Sequence, residues 1–167
     1  MFCCFYCSAK LLYKTTIVVR KIVIVFLFLS TICYSQKDSL RWLRYSTYLA
    51  AGVAEGYGDV LQFHYHKFQN IHPNANPQYW NPQISWRRKW KNGDPNQGED
   101  FFLSSTALVW TRDGWHNAKF MKNIHLFGGL CIPIQRGKKW WWYLKEGAIC
   151  YAANRAGFNL IYNGIYR

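Results

Sequence analysis

Prolines at positions 73, 77, 82 and 95, set among Asn-Pro, Asn-Gly-Asp-Pro and Gln-Gly pairs, prevent any long regular element from crossing residues 69–100. The chain must therefore fold as apolar, periodic stretches on either side of that segment. A connection of about 30 residues is uncommon in a small domain unless it has a function or is disordered. Tyr79, Trp80, Trp86 and Trp90 are too apolar for disorder. Trp86 and Trp90 are interleaved with Arg87, Arg88, Lys89 and Lys91, which suits a short interfacial helix against anionic headgroups or a docking loop for a protein partner. The same residue types could stack on bases and neutralise phosphates. A secretory leader argues against nucleic acid as the partner.

That leader is residues 1–35. Lys10, Lys14, Arg20 and Lys21 form a basic start and residues 22–33 (IVIVFLFLSTIC) an apolar run of secretory length. Cys33, Tyr34 and Ser35 then place cleavage of a signal peptide before Gln36. Residues 11–33 could span a bilayer instead if Lys14, Arg20 and Lys21 were tolerated. A lipid-modified Cys33 fits less well, because Ile32 stands where a small residue is needed. The basic, cysteine-bearing stretch before Arg20 is long for a signal peptide and fits an over-extended translation start. Cys3, Cys4 and Cys7 have no nearby partners for a zinc site. The remaining residues 36–167 form a single helical domain, with 17 basic and 8 acidic side chains and a net charge of +9. Cys131 and Cys150 lie in apolar segments and read as small buried hydrophobes, with a disulfide as the alternative in an oxidising compartment.

Residues 46–68 (STYLAAGVAEGYGDVLQFHYHKF) have the texture of a tightly packed helix, in which Gly52 and Gly56 allow close backbone approach. On a helical wheel Glu55, Asp59, Gln62 and His66 fall within an arc of about 60°. Residues 103–122 (LSSTALVWTRDGWHNAKFMK) read as a second helix, with Asp113 and His116 about 60° apart on one flank. A break at Asn123 precedes a short stretch interrupted by Gly128, Gly129 and Pro133. Residues 140–162 then form a last helix whose WWWY opening resembles an aromatic belt, with Glu146, Arg155 and Asn159 as its polar interior members.

These elements predict an all-α fold, a small membrane-embedded helical bundle with one long Pro/Trp-rich loop. Aromatics at 19% exceed the needs of a small water-soluble core and suit a membrane boundary. The basic loops RRKWK and RGKK would both face the cytoplasm. The expected location is the inner membrane of a bacterial envelope. A periplasmic helical protein is the alternative, since mean hydropathy is only -0.21 and no mature segment is cleanly apolar over 18 residues.

The order HPNANPQYWNPQISWRRKWKNGD, then STALVWTRDGWHNAKF, resembles a family of small bacterial membrane proteins met mainly in the Bacteroidetes. The likeness runs from about residue 50 to residue 120, with a looser aromatic tail. It implies a bacterial origin and an envelope location. The family has no established activity, so no catalytic role comes with it.

Three functions fit the residues. Carboxylates and imidazoles facing inward from neighbouring helices build metal sites in bundles, and Asp113-x-x-His116 is a variant of the Glu-x-x-His element. Glu55, Asp59, His66, Asp113 and His116 are thus candidate ligands for a divalent metal in a membrane hydrolase, with His64 and His72 as alternates. Opposed to this is a structural or assembly role, in which Glu55 pairs with Arg155 and Asp113 with Arg112 or His116 to fix packing. A lipid or small-molecule binding module is the third reading, with the aromatic residues as pocket wall.

Overall fold

The computed structural model describes residues 40–167, and the expectations for the leader lie outside them. Residues Leu40–Arg167 form one compact unit. Helix α1 (Arg41–Phe63) is followed by α2 (Tyr65–Ile71), α3 (Pro77–Trp80), α4 (Pro82–Ser85), α5 (Gly114–Cys131) and α6 (Trp140–Asn159). Single 3-10 turns lie at Trp86–Lys89, Lys91–Gly93, Pro95–Gln97 and Val109–Thr111, and a π-helical turn, Leu160–Ile165, extends α6. The fold is all-α, and the described residues contain no strand, only one isolated bridge between Trp90 and Glu99.

The long helix α1 is the spine. Trp115 meets Gln62, Lys122 meets Glu55, and Gly129 packs on Tyr48, so α5 runs antiparallel to it. Glu146 meets Arg41 and Arg155 meets Glu55, so α6 runs parallel. Helices α5 and α6 each lie along α1 but hardly touch one another. The small-residue texture of α1 has the expected effect. A Cβ on Gly52 would stand 1.9 Å from the Asn154 carbonyl oxygen, and one on Gly157 would stand 2.2 Å from that of Leu49. The α1–α6 contact is therefore backbone against backbone.

The core gathers where α1 ends. Val60, Leu61 and Phe68 are buried with Ile161 and Tyr166 from the tail, and Tyr57, Tyr65 and Trp80 pack around them. His64, at φ -135°, breaks the helix and turns α2 back over this cluster. His64 Nε2 lies 2.7 Å from the Tyr162 hydroxyl and His72 Nε2 lies 3.0 Å from that of Tyr166. Fully burying an aromatic such as Phe68 contributes about 1.5–3 kcal/mol.

Four expectations need correction. No helix among the described residues is long and apolar enough to cross a membrane. The physical reason is charge: α1 carries Arg41, Arg44, Glu55 and Asp59, α6 carries Lys145, Glu146 and Arg155, and α5 carries Lys119 and Lys122. The membrane-embedded bundle and its threaded loops therefore find no support in these helices. Second, the loop at residues 69–100 is more regular than its prolines suggest. Asn76 and Asn81 each accept a hydrogen bond from the backbone two residues on, at 2.9 and 3.0 Å, and cap short helices that begin with proline. Third, the helix expected over residues 103–122 starts only at Gly114, continues through Asn123 and ends at Cys131. Fourth, of the two cysteines expected to be buried and unpaired, both are free thiols and Cys150 is buried, but Cys131 is exposed.

Candidate functional site

Three polar knots lie along α1, and the first contains the pair singled out from the sequence. Asp113 is extended, at φ -150° and ψ 157°, and is the N-cap of α5. One carboxylate oxygen accepts the His116 backbone N–H at 2.8 Å, and the other lies 2.6 Å from His116 Nδ1. This is the first half of a capping box, the N-cap side chain accepting from the third helical N–H, but the His116 ring meets the same carboxylate and not the Asp113 backbone N–H. Asp113 is buried and uses both oxygens on His116. The arrangement fixes the ring and leaves Nε2 as the nitrogen able to exchange a proton with a bound molecule.

A cavity of about 190 Å³ adjoins this pair, lined by Gln62, Pro82, Ser85, Trp86, Asp113, Trp115 and His116. Trp115 Nε1 donates to Gln62 at 2.9 Å across the α1–α5 contact. The Ser85 hydroxyl is buried without a hydrogen-bond partner. Asp113 is the sole carboxylate of this lining and His116 its sole imidazole.

Glu55 is the second knot. It accepts from Lys122 of α5 at 2.8 Å and from Arg155 of α6 at 2.9 Å, so one carboxylate ties both flanking helices to the spine. The expected pairing with Arg155 is thus present. Asp59, one turn on, has its carboxyl pushed up by burial and by the neighbouring Glu55 charge, against the opposing pull of Lys122, Lys119 and Arg155.

The third knot is at the opposite end of α1. Glu146 is buried and accepts from Arg41, from Arg44 at 3.0 Å, and from the Tyr45 hydroxyl at 2.9 and 2.8 Å. Arg44 also donates to the Pro133 carbonyl at 2.6 Å. Burial pushes the Glu146 carboxyl up, but the hydrogen bonds from Arg41 and Tyr45 and the two guanidinium charges outweigh it and hold the group below its ordinary range. Sequence reasoning marked Glu146 as an interior residue but missed its partners. The signal was there: Arg41, Arg44 and Tyr45 follow the i, i+3, i+4 spacing that shares one helix face.

The proposed metal-ligand set does not assemble. Among the described residues no three of His, Cys, Asp and Glu form a group that could hold a metal ion. The break at His64 carries His66 onto α2, where it is exposed and meets the His64 ring edge-on at 6.2 Å. Glu55 is held by two cations, and Asp113 by its own helix. Glu55 and Asp59 lie together, as do Asp113 and His116, but no hydrogen bond or ion pair joins the two pairs.

The basic loop does not form a regular α-helix. Residues 86–89 make a single 3-10 turn. Arg87 lies over Trp86 at 5.4 Å, Lys89 over Trp90 at 5.5 Å and Arg88 over Tyr79 at 6.0 Å. The turn is anchored from behind, since Arg112 donates to the Arg88 carbonyl at 2.9 Å and Ser104 to that of Lys89 at 2.8 Å. Trp86, Arg87 and Lys91 are exposed, while Arg88, Lys89 and Trp90 are half-buried.

No family model, no curated protein and no solved structure matches the chain. The functional reading rests on its own residues.

Proposed function

We propose that this chain is a structural module of the bacterial envelope that lies on an anionic lipid surface, its carboxylates holding the helices together. The observation that carries this reading is Glu55, a single acid bonded at once to Lys122 of α5 and Arg155 of α6. Glu146 and Asp113 are committed in the same way, one to Arg41 and Arg44 and the other to the start of α5. Such groups set helix register.

Lipid as the partner is supported by one end of the molecule, where the start of α1, the end of α5 and the start of α6 come together. Trp42 is 78% exposed there, Trp140 73% and Leu130 73%, beside the exposed Lys138, Lys139 and Lys145. Aromatic rings at headgroup depth flanked by cations match an anionic interface, at roughly 1 kcal/mol for each Lys or Arg near the surface.

Flotation of the full chain with vesicles of phosphatidylglycerol and phosphatidylethanolamine tests this. Binding should exceed that to phosphatidylcholine, weaken with salt, and fall at least fivefold in the triple variant Lys138→Gln, Lys139→Gln, Trp140→Ala. Equal binding by that variant would overturn the assignment of the surface.

A second reading is favoured by the cavity beside His116. Its Nε2, with Nδ1 held by Asp113, suits a general base acting on water or on the Ser85 hydroxyl, the chemistry of an ester hydrolase without metal. Hydrolysis of nitrophenyl esters that disappears in His116→Ala while the fold persists would establish it, and equal rates in the two proteins would remove it.

A further inference from the structure

The third knot has more positive charge than it needs. Arg41 and Arg44 share one carboxylate, Glu146, which leaves a net charge of +1. The Nε atoms of both arginines are buried and have no hydrogen-bond partner. Arg44 is only 4% exposed, so water does not offset the shortfall there, whereas the Arg41 side chain is 34% exposed. Arg44 spends its two terminal nitrogens on Glu146 and the Pro133 carbonyl, which leaves its Nε as a buried donor without an acceptor, and one further oxygen anion there would complete the set.

Beside this charge lies apolar space. Because α5 and α6 hardly touch, a groove opens between them over the first turns of α1 and holds a cavity of about 350 Å³. Arg44 and Glu146 line it, with Leu126, Leu130, Ile134 and Tyr151 as walls. Leu130, Ile134 and Tyr151 are 73%, 46% and 68% exposed, so the walls remain uncovered. At roughly 30 Å³, the share of one water in the liquid, the space corresponds to on the order of ten water-sized units, enough for a medium-length alkyl chain.

We infer that this groove binds a single-chain anionic amphiphile, its alkyl chain between α5 and α6 and its anionic head against the Arg44 guanidinium. A free fatty acid and a lysophospholipid share that chemistry. The site goes beyond docking on a lipid surface and does not require it, since the cavity can bind a monomeric amphiphile in water.

Gly147 provides a clean test. It lines the cavity, and a Cβ there meets nothing within 4 Å, so Gly147→Leu fills the space without displacing backbone. Leucine also favours the helix over glycine. Delipidated full-length chain is titrated calorimetrically with dodecanoate, with dodecanol, and with dodecanoyl lysophosphatidylglycerol, each below its micelle concentration. Dodecanoate or the lysolipid should bind once per chain, at least tenfold tighter than dodecanol. The tighter of the two identifies the head as carboxylate or phosphodiester. Gly147→Leu should weaken that binding at least tenfold while keeping its helical circular dichroism and its flotation with vesicles. Equal affinity for dodecanol, undiminished binding by Gly147→Leu, or no binding of any of the three would overturn the inference. Loss of flotation in the Lys138, Lys139, Trp140 variant with dodecanoate binding intact would separate this site from the surface.

Discussion

Gly52 of α1 faces the backbone of Asn154 on α6 so closely that a single added methyl carbon would lie 1.9 Å from the Asn154 carbonyl oxygen. The atom in the way is main chain, so no side-chain rotation relieves the clash. Gly52→Ala should therefore destabilise the fold by about 3 kcal/mol, at the upper end of the usual overpacking cost, even though alanine is the better helix former. Thermal unfolding of this variant beside Gly147→Ala, where space is open, checks it. A Tm for Gly52→Ala equal to wild type would refute the close contact.

Glu55→Gln should lower stability by about 1 kcal/mol, because the ion pairs to Lys122 and Arg155 are partly exposed and screened. The loss should shrink in 1 M salt. A double-mutant cycle with Arg155→Gln, read by urea unfolding, measures the coupling, and a coupling of zero would remove Glu55 as a tie between helices.

At Asp113 the nature of the substitution matters. Asparagine caps helices about as well as aspartate, whereas removal of the cap costs about 1 kcal/mol. Asp113→Asn should thus unfold close to wild type and Asp113→Ala clearly earlier. Identical losses in both would show that the carboxylate charge, and not its capping hydrogen bond, supports α5.

The acid limb of stability should depend on Glu146. Its carboxyl is held below the ordinary value of 4.5, so the stabilisation is fully present above that pH and is lost as pH falls through the depressed pKa. Asp59 has the opposite sign. Its carboxyl is raised above 3.8, so ionisation in the folded protein costs stability as pH rises from 3.8 through the raised pKa. Urea titrations across pH should show Glu146→Gln with a flattened acid limb. Asp59→Asn should gain on wild type as pH rises through that upper window.

Phe68→Ala should cost about 3–5 kcal/mol, the usual range for emptying a buried aromatic site. Phe68 packs against Tyr57, Trp80 and Tyr166 at ring distances of 5.8, 5.5 and 6.2 Å, which joins α1, α2, the loop helices and the tail. Loss of near-ultraviolet dichroism with retained helical signal would identify the tertiary cluster as what failed.

Close approach at Gly52 and the pairing of Glu55 with Arg155 were legible from the sequence, because small residues at helical spacing and opposite charges on apolar helices have few other solutions. The start of α5 was not. Residues 106–112 are apolar enough to continue a helix, yet Leu103 adopts a positive φ of 61° and the backbone turns repeatedly before Asp113. Asp-x-x-His fits both a ligand pair on a helix flank and an N-cap with its third residue, and only the true helix start separates them. The Asn-Pro pairs hold the same ambiguity between a turn and a capped helix. For Glu146 the local half of the signal was present in the spacing of Arg41, Arg44 and Tyr45, but the pairing itself spans about 100 residues, a distance that no local pattern registers.

The near absence of contact between α5 and α6 sets how the molecule comes apart. Two helices that share little but a spine can each open without the other, whereas loss of the spine releases both. Hydrogen exchange in α5 can therefore proceed through a local opening that leaves α1 and α6 protected, whereas opening α1 is global unfolding. Anything bound in the groove between them would tie the two helices to one another and make their opening more cooperative.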